Sequence, residues 1–482
     1  MRFLWATALF TLPVTSFRYF PVGEGTLVRP LALYPLALLL PLLFIQWMRG
    51  QRPAPWVSGL TLLGLFALVA LTANSFGYAF DPIPLRGQTY FGRAIRAWFT
   101  LIIGLLFFTS ASWMNRSEDD LRFTVKWILA GLCLDIAWSG IQALTFYTPL
   151  LDKVMVTHWQ LAFSVRELVR TNRISGMAYE PSWLAGQIAT IYMPVLFAAL
   201  LMKIRFTSRI WLEPVLFAIT MLLLFATYSR GGLLITVGVA GFVFLLVGRD
   251  TLKNSLRWFT SGFRTHASDL LIRVVLILAV IAVIAGAVLF LGRKNYFRRL
   301  WETSANTINE YIVDINAGAR GAYAIGALAA FDEYPITGVG LGASGFYIYQ
   351  NLPDWALTTV PEIARQLDPT NNLYPNPKNI YVRLLAETGL IGFILFIVFQ
   401  LGILGDALNA LRGAGLIRAL GIAGLFAWLA ISLYNLTQDS LATPNIWLIP
   451  GVLAGMAQNF SNEILVKKRI FEPLRPRRTR ML

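Results

Sequence analysis

The chain of 482 residues is 56% hydrophobic and only 14% charged, with a mean hydropathy of +0.61, which leaves too little polar surface for a soluble protein of this length. Its net charge of +16 is what basic cytoplasmic loops give a membrane protein, and no basic, aromatic-interleaved soluble segment is present to bind nucleic acid. The single cysteine, Cys133, excludes an intrachain disulfide, and two histidines leave too few ligands for a buried transition-metal centre.

A helix crosses the hydrocarbon core with about 20 apolar residues. That criterion predicts twelve spans, near 3–17, 29–48, 56–73, 94–113, 123–147, 182–202, 210–228, 231–247, 270–291, 384–404, 416–435 and 442–460. The fold expected is an all-α, polytopic integral membrane protein with one large extracytoplasmic loop. The first apolar stretch, "MRFLWATALFTLPVTSF", lacks a small-residue cleavage site and reads as a retained span. An even count puts both termini on one side. With the N-terminus in the cytoplasm, every short inner loop is basic: Arg49 and Arg52, then Arg116 and Arg122, then Lys203, Arg205 and Arg209, then Arg249 to Arg273, then Arg412 and Arg418. The tail "VKKRIFEPLRPRRTR" adds more basic residues on the same side. The predicted organisation is therefore membrane helices over 1–147, an outer loop at 148–181, central helices over 182–291, a large outer loop at 292–383, helices over 384–460 and a basic inner tail at 461–482.

A second set of cations falls on the outer side, where the positive-inside pattern expects few. Arg166, Arg170 and Arg173 lie in "SVRELVRTNRISG", and Arg173 precedes the acidic, proline-bounded start of the sixth span. Arg166 and Arg170 read most simply as solvated or lipid-facing. "GMAYEPSWLAGQ" is a turn into a helix, with Pro181 acceptable in the first turn. Glu180 fits either a helix-start carboxylate or a carboxylate poised for acid–base work. Asp135, in the middle of span five, reads as a bonded structural residue, His158 as an external titratable group and His266 as an inner-loop surface residue.

Arg230 interrupts the apolar run "LFATYSRGGLLITV", and arginine at membrane depth usually faces a cavity or a partner. Gly231 and Gly232 after it allow close backbone approach. A planar guanidinium beside exposed backbone N–H groups suits a phosphate or diphosphate. Arg320 sits on the helical stretch "INAGARGAYAIG", ahead of the glycine-rich turn "GVGLGASG". Tyr323, Phe346, Tyr347, Tyr349 and Trp355 are candidates to stack on sugar rings, although aromatics at this density also serve as core or interface anchors. In "NPKNIYVRLLAETGLIGF" the loop returns to the membrane, carrying Lys378, Asn379, Tyr381, Arg383 and Glu387 into an apolar helix.

Four segments, "RISGMAYEPSWLAG", "TYSRGGLL", "GARGAYAIGALAAFDEYPITGVGLGASGF" and "NPKNIYVRLLAETGLIG", together resemble the O-antigen ligase and O-antigen polymerase (Wzy-type) superfamily of bacterial envelope glycan enzymes. The resemblance covers roughly residues 173–392. It implies a C-type glycosyltransferase-like fold in the bacterial inner membrane and metal- and cofactor-independent transfer on the periplasmic face. The donor it implies is an undecaprenyl-diphosphate-linked oligosaccharide, with a chain-length regulator as a further candidate partner. Carried over by motif, Arg230 and Arg320 hold the diphosphate; beside this carry-over, Arg173 is a further candidate for the diphosphate, and Asn379, Tyr381 and Arg383 are candidates for the acceptor glycan. Ligases of the superfamily usually place a histidine directly before the asparagine of the fourth motif, and this chain has Lys378 there. A lysine ammonium is ordinarily protonated at neutral pH, so Lys378 reads as a cation toward diphosphate or sugar oxygens, and Glu180 becomes the first candidate for the base. The missing histidine tilts the expectation from ligase toward polymerase. A transporter would show repeated halves around a midplane site, whereas here the polar weight gathers at one face.

Overall fold

The apolar stretches become helices in the computed structural model, which describes residues 1–19, 28–54, 56–168, 172–264, 267–293, 295–368, 370 and 374–458. Arg170, His266 and the basic tail at 461–482 lie outside the described residues. Among the described residues there is no strand, only two isolated bridges, Ser16 to Arg29 and Leu85 to Gln88.

Seven helices are long and apolar enough to cross a membrane: Ser58–Ala79, Tyr90–Met114, Glu118–Tyr147, Pro181–Met202, Arg230–Val247, Ile380–Leu411 and Gly415–Tyr434. The architecture is that of a polytopic membrane protein. Helices also occupy the other expected positions, but twelve full crossings were expected and these are shorter or less fully described. The first is only Arg2–Phe10, about 14 Å at 1.5 Å per residue against a hydrocarbon core of about 30 Å. Leu33–Met48 and Leu212–Ala226 have 16 and 15 residues. Ala267–Gly292 forms where the ninth span was expected, and the last helix, 448–458, runs to the edge of the described residues.

Two helices are enclosed by the others. Pro181–Met202 has 83% of its apolar stretch buried and Gly415–Tyr434 72%, against 28% for Arg230–Val247. Polar groups at the ends of the enclosed pair are therefore held in place by packing. The Pro181–Met202 span is broken by a π turn at Ile188–Tyr192 just ahead of Pro194, which has no N–H to give the preceding turn.

Glu118–Tyr147 orients the bundle. At its start Asp120 pairs with Arg2 at 3.0 Å and Arg122 donates to the Arg205 carbonyl at 3.2 Å. At its far end the Tyr147 hydroxyl donates to the Asn172 carbonyl at 2.9 Å. Segments assigned from sequence to the basic side thus gather at one end, and those assigned to the other side gather at the opposite end.

The long connection 292–383 has a hydrophobic core of its own, built from Ala319, Ala322, Tyr323, Ala327, Ala330, Phe346, Ile348, Ala356 and Ile363. Of the two roles open to the aromatics of this segment, sugar platform or core anchor, they take the core. Tyr323 and Phe346 are buried, and the Tyr323 hydroxyl donates to Gln366; Tyr347, Tyr349 and Trp355 pack against the same cluster. The cause is plain: a loop of this length needs apolar bulk to fold, and its aromatics supply it.

The connection docks on a kink. Gly389, inside Ile380–Leu411, has φ 62° and ψ −170°, a backbone that glycine tolerates and side chains do not. A Cβ there would strike the Ile336 carbonyl. The kink frees the Ala386 and Glu387 carbonyls, which accept from the Val339 and Gly340 N–H groups at 2.9 Å each. "GVGLG" and "ETGLIG" are therefore two halves of one joint.

Candidate active site

A cleft of about 410 Å³ opens where the first turns of three helices meet. Glu180, Ser182 and Trp183 come from the start of Pro181–Gln187, Ser229 to Gly232 from the start of Arg230–Val247, and Ala317 and Arg320 from the start of Gly318–Glu333. Arg173, Asn316, Tyr434, Thr437 and Gln438 complete the wall.

Local sequence explains why the helix starts converge. The Ser229 side chain caps Arg230–Val247 by accepting from the Gly232 N–H at 3.3 Å. A Cβ on Gly232 would collide with that of Ala185, so glycine at 232 lets this helix lie against Pro181–Gln187. Gly231 has open space beside it. The cleft therefore has bare backbone on one wall, as the sequence expects of the "SRGG" segment.

The Arg173 to Glu180 stretch is held from below by two buried polar residues of Glu118–Tyr147. Gln142 accepts from the Ser175 and Gly176 N–H groups at 3.1 and 3.0 Å, and Asp135 accepts from the Met177 N–H at 2.8 Å. Asp135 is thus a bonded structural residue, as expected, and its task is to fix the turn before Glu180. Arg173 donates Nε to the Thr227 carbonyl at 2.8 Å, tying this segment to "TYSRGG". Glu180 starts its helix without using its carboxylate to cap it. The carboxylate instead accepts from the Ser182 hydroxyl and pairs with Arg166 Nη1 at 3.2 Å. Arg166, expected to be merely solvated, also lies over the Tyr179 ring at 4.8 Å.

Arg230 reaches the long connection, donating Nη2 to the Ile315 carbonyl at 2.6 Å. Arg320 is exposed in the cleft and forms no ion pair among the described residues. The cleft thus faces Arg173, Arg230 and Arg320 against one carboxylate, Glu180, which already has a partner in Arg166. Three helix starts add the positive ends of their dipoles.

The residues of the returning segment are placed differently. Lys378 does not line this cleft. Its Nζ pairs with Glu362 at 3.1 Å and lies 5.8 Å from the Tyr323 ring centre, and its N–H donates to Asp439 Oδ2 at 3.0 Å. Asn379 caps Ile380–Leu411, accepting from the Tyr381 and Val382 N–H groups, and the Tyr381 hydroxyl donates to the Ser432 carbonyl at 3.0 Å. Arg383 pairs with buried Glu387 at 2.9 Å and lines a second, smaller cleft. His158 is exposed on the Lys153–Leu161 helix and lines neither cleft. Among the described residues, no group of three or more His, Cys, Asp or Glu is placed to hold a metal ion.

Several wall residues were not legible beforehand. Tyr434, Thr437 and Gln438 belong to "YNLTQDS", a polar run between two apolar helices. That polarity on the outer side was the available signal. Gln142 carried none, since one glutamine in a long apolar helix has no pattern.

No curated protein matches the chain. Residues 215–397 match the family model Wzy_C, described as O-antigen ligase. The matched stretch contains Arg230, Arg320, the glycine-rich joint and Arg383, and the match supports the chain's place in the O-antigen ligase and polymerase superfamily.

Proposed function

We propose that the protein is a polymerase of O-antigen or exopolysaccharide type, moving a glycan from polyprenyl diphosphate to a sugar hydroxyl of a second lipid-linked chain. The observation that carries the reading is the cleft itself, in which three arginines and three helix starts face one already-paired carboxylate. Such a site favours an anion with more than one negative charge, and a diphosphate that gains charge as it leaves is the ligand it suits best.

In the proposed reaction the acceptor oxygen attacks the anomeric carbon of the donor glycan. The bond from that carbon to the diphosphate oxygen breaks, and its electron pair leaves with the lipid diphosphate, inverting the anomeric centre. Arg230, Arg320 and Arg173 stabilise the developing charge, and first-turn amides near Gly231 add to it. Glu180 is the carboxylate within the cleft that takes the acceptor proton, with Ser182 and Arg166 fixing its orientation. Lys378 acts as a cation that holds the returning segment to Glu362. No step calls for a metal. The proposed setting is the periplasmic face of the bacterial inner membrane, with both termini cytoplasmic, undecaprenol as the carrier lipid and a chain-length regulator as an associated protein.

Ligase activity is the second reading, favoured by the family description matched at 215–397. Purified protein in lipid nanodiscs, given a lipid-diphosphate-linked repeat, separates the two. A ladder of longer lipid-linked chains supports the polymerase. Transfer that requires lipid A-core supports the ligase, and no transfer to either acceptor sinks both.

A further inference from the structure

A second cleft, of about 210 Å³, adjoins the first and shares Trp183 as a wall. Arg93 and Arg96 reach it from the first two turns of Tyr90–Met114, and Arg383 from the first turn of Ile380–Leu411. Thr100 and Asn376 add polar groups.

Three guanidiniums, Arg93, Arg96 and Arg383, face two carboxylates, Glu387 and Asp439, which leaves one positive charge in excess. Glu387 is committed to Arg383 and to the Ser344 hydroxyl, at 2.9 and 2.8 Å. Asp439 accepts from the Lys378 N–H through Oδ2 at 3.0 Å, and its backbone carbonyl accepts from Arg383 Nη1 at 2.7 Å. Neither carboxylate forms an ion pair with Arg93 or Arg96. The Arg93 guanidinium lies over the Tyr374 ring at 3.7 Å, and its buried Nε has no hydrogen-bond partner among the described residues. Arg96 donates to the neutral Gln88 Oε1 at 3.2 Å. Tyr374 supplies no counter-charge, because burial pushes its hydroxyl far above the ordinary phenol range. Its hydroxyl donates to the Gly342 carbonyl at 3.1 Å. Two guanidiniums held beside a third, with one N–H unsatisfied, form a preorganised seat for an oxyanion.

We infer that this second cleft holds the diphosphate of the lipid-linked acceptor, so that one chain seats two lipid diphosphates on either side of Trp183. The inference rests on the transfer reaction proposed above and identifies its acceptor. An acceptor that also carries a lipid diphosphate needs its own cationic seat next to the donor's, and the shared wall provides that adjacency.

The test is the stoichiometry of radiolabelled undecaprenyl diphosphate bound by the full-length protein in phosphatidylcholine nanodiscs. The wild type is expected to bind two per chain. Arg93→Gln with Arg96→Gln is expected to bind one, and Arg230→Gln with Arg320→Gln is also expected to bind one. Each double variant keeps the other cleft, and that remaining binding reports that it is folded. Arg96→Gln alone is expected to weaken the second site about tenfold, the loss of one charged donor. Two sites persisting in the Arg93/Arg96 variant, or an unchanged affinity in Arg96→Gln, overturns the inference. So does equal displacement of the Arg93-dependent lipid by phosphatidylglycerol, which would make the cleft a general headgroup seat. A wild type that binds only one, lost in the Arg230/Arg320 variant, overturns the second cleft and leaves the donor site standing. No binding to the wild type overturns both.

Discussion

Arg320→Ala separates function from folding more cleanly than any other change in the cleft. Arg320 is exposed and forms no ion pair among the described residues, so its removal should cost the fold no more than about 0.5 kcal/mol. The same change removes a fixed positive group from the place where diphosphate charge develops. Loss of one such donor costs roughly 2.7–4 kcal/mol of transition-state stabilisation, or 10²–10³ in rate. Arg230→Ala carries an added structural cost of about 1 kcal/mol, because its Nη2 ties the helix start to the Ile315 carbonyl at 2.6 Å. The assay is the initial rate of glycan transfer by purified protein at saturating acceptor, with thermal unfolding measured in the same detergent. Arg320→Ala should lose at least about a hundredfold in rate with an unchanged melting midpoint. Arg320→Lys should recover part of the rate, keeping charge but not the planar fork. A rate close to wild type in Arg320→Ala would refute the clamp, and a rate loss that tracks a lowered midpoint would reassign the residue to structure.

Three further outcomes follow from the same geometry. Glu387→Leu leaves Arg383 buried without its counter-charge, since the two side chains are only 12% and 2% exposed; a loss of about 3 kcal/mol or more is expected, with faster hydrogen exchange at the Val339 and Gly340 amides, and unchanged exchange would detach the ion pair from the docking joint. Lys378→Arg should keep activity, because the half-exposed pair with Glu362 is worth under about 1 kcal/mol and any cation can serve it; an inactive arginine variant beside an active Lys378→His would return a proton-transfer role to this position. Gly232→Ala should lower the melting temperature, through overpacking against Ala185 of about 1–3 kcal/mol, while Gly231→Ala, with open space beside it, should not; equal effects would contradict the close helix approach.

Much of this architecture is written in hydropathy. Helices stand at every apolar stretch, and Arg173 and Glu180 of one motif meet Arg230 and Arg320 of two others in one cleft. These residues were legible because arginine or glutamate at a helix start in an apolar chain is expensive and so carries information. What stayed hidden depends on tertiary contact. The first stretch ends its helix at Phe10, short of the Pro13 that its apolar run includes. The kink at Gly389 falls inside the predicted span, two residues after Glu387, and only the docking loop makes it necessary. Lys378 and Asn379 look like site residues in sequence, yet one is ion-paired away from the main cleft and the other is a helix cap. Arg93 and Arg96 escaped notice for the opposite reason. At the start of a membrane helix a basic residue reads as a snorkelling anchor, and nothing in its own sequence marks the Arg383 and Tyr374 that it meets.

The most direct test of the central claim is a cryo-electron microscopy structure of the full chain in nanodiscs with undecaprenyl diphosphate bound. The account predicts phosphate density in contact with the Arg230 and Arg320 guanidiniums, beside Arg173 and the first-turn backbone at Gly231, with the lipid chain leaving the cleft toward the bilayer. A well-ordered diphosphate bound elsewhere, with this cleft empty at saturating lipid, would contradict it.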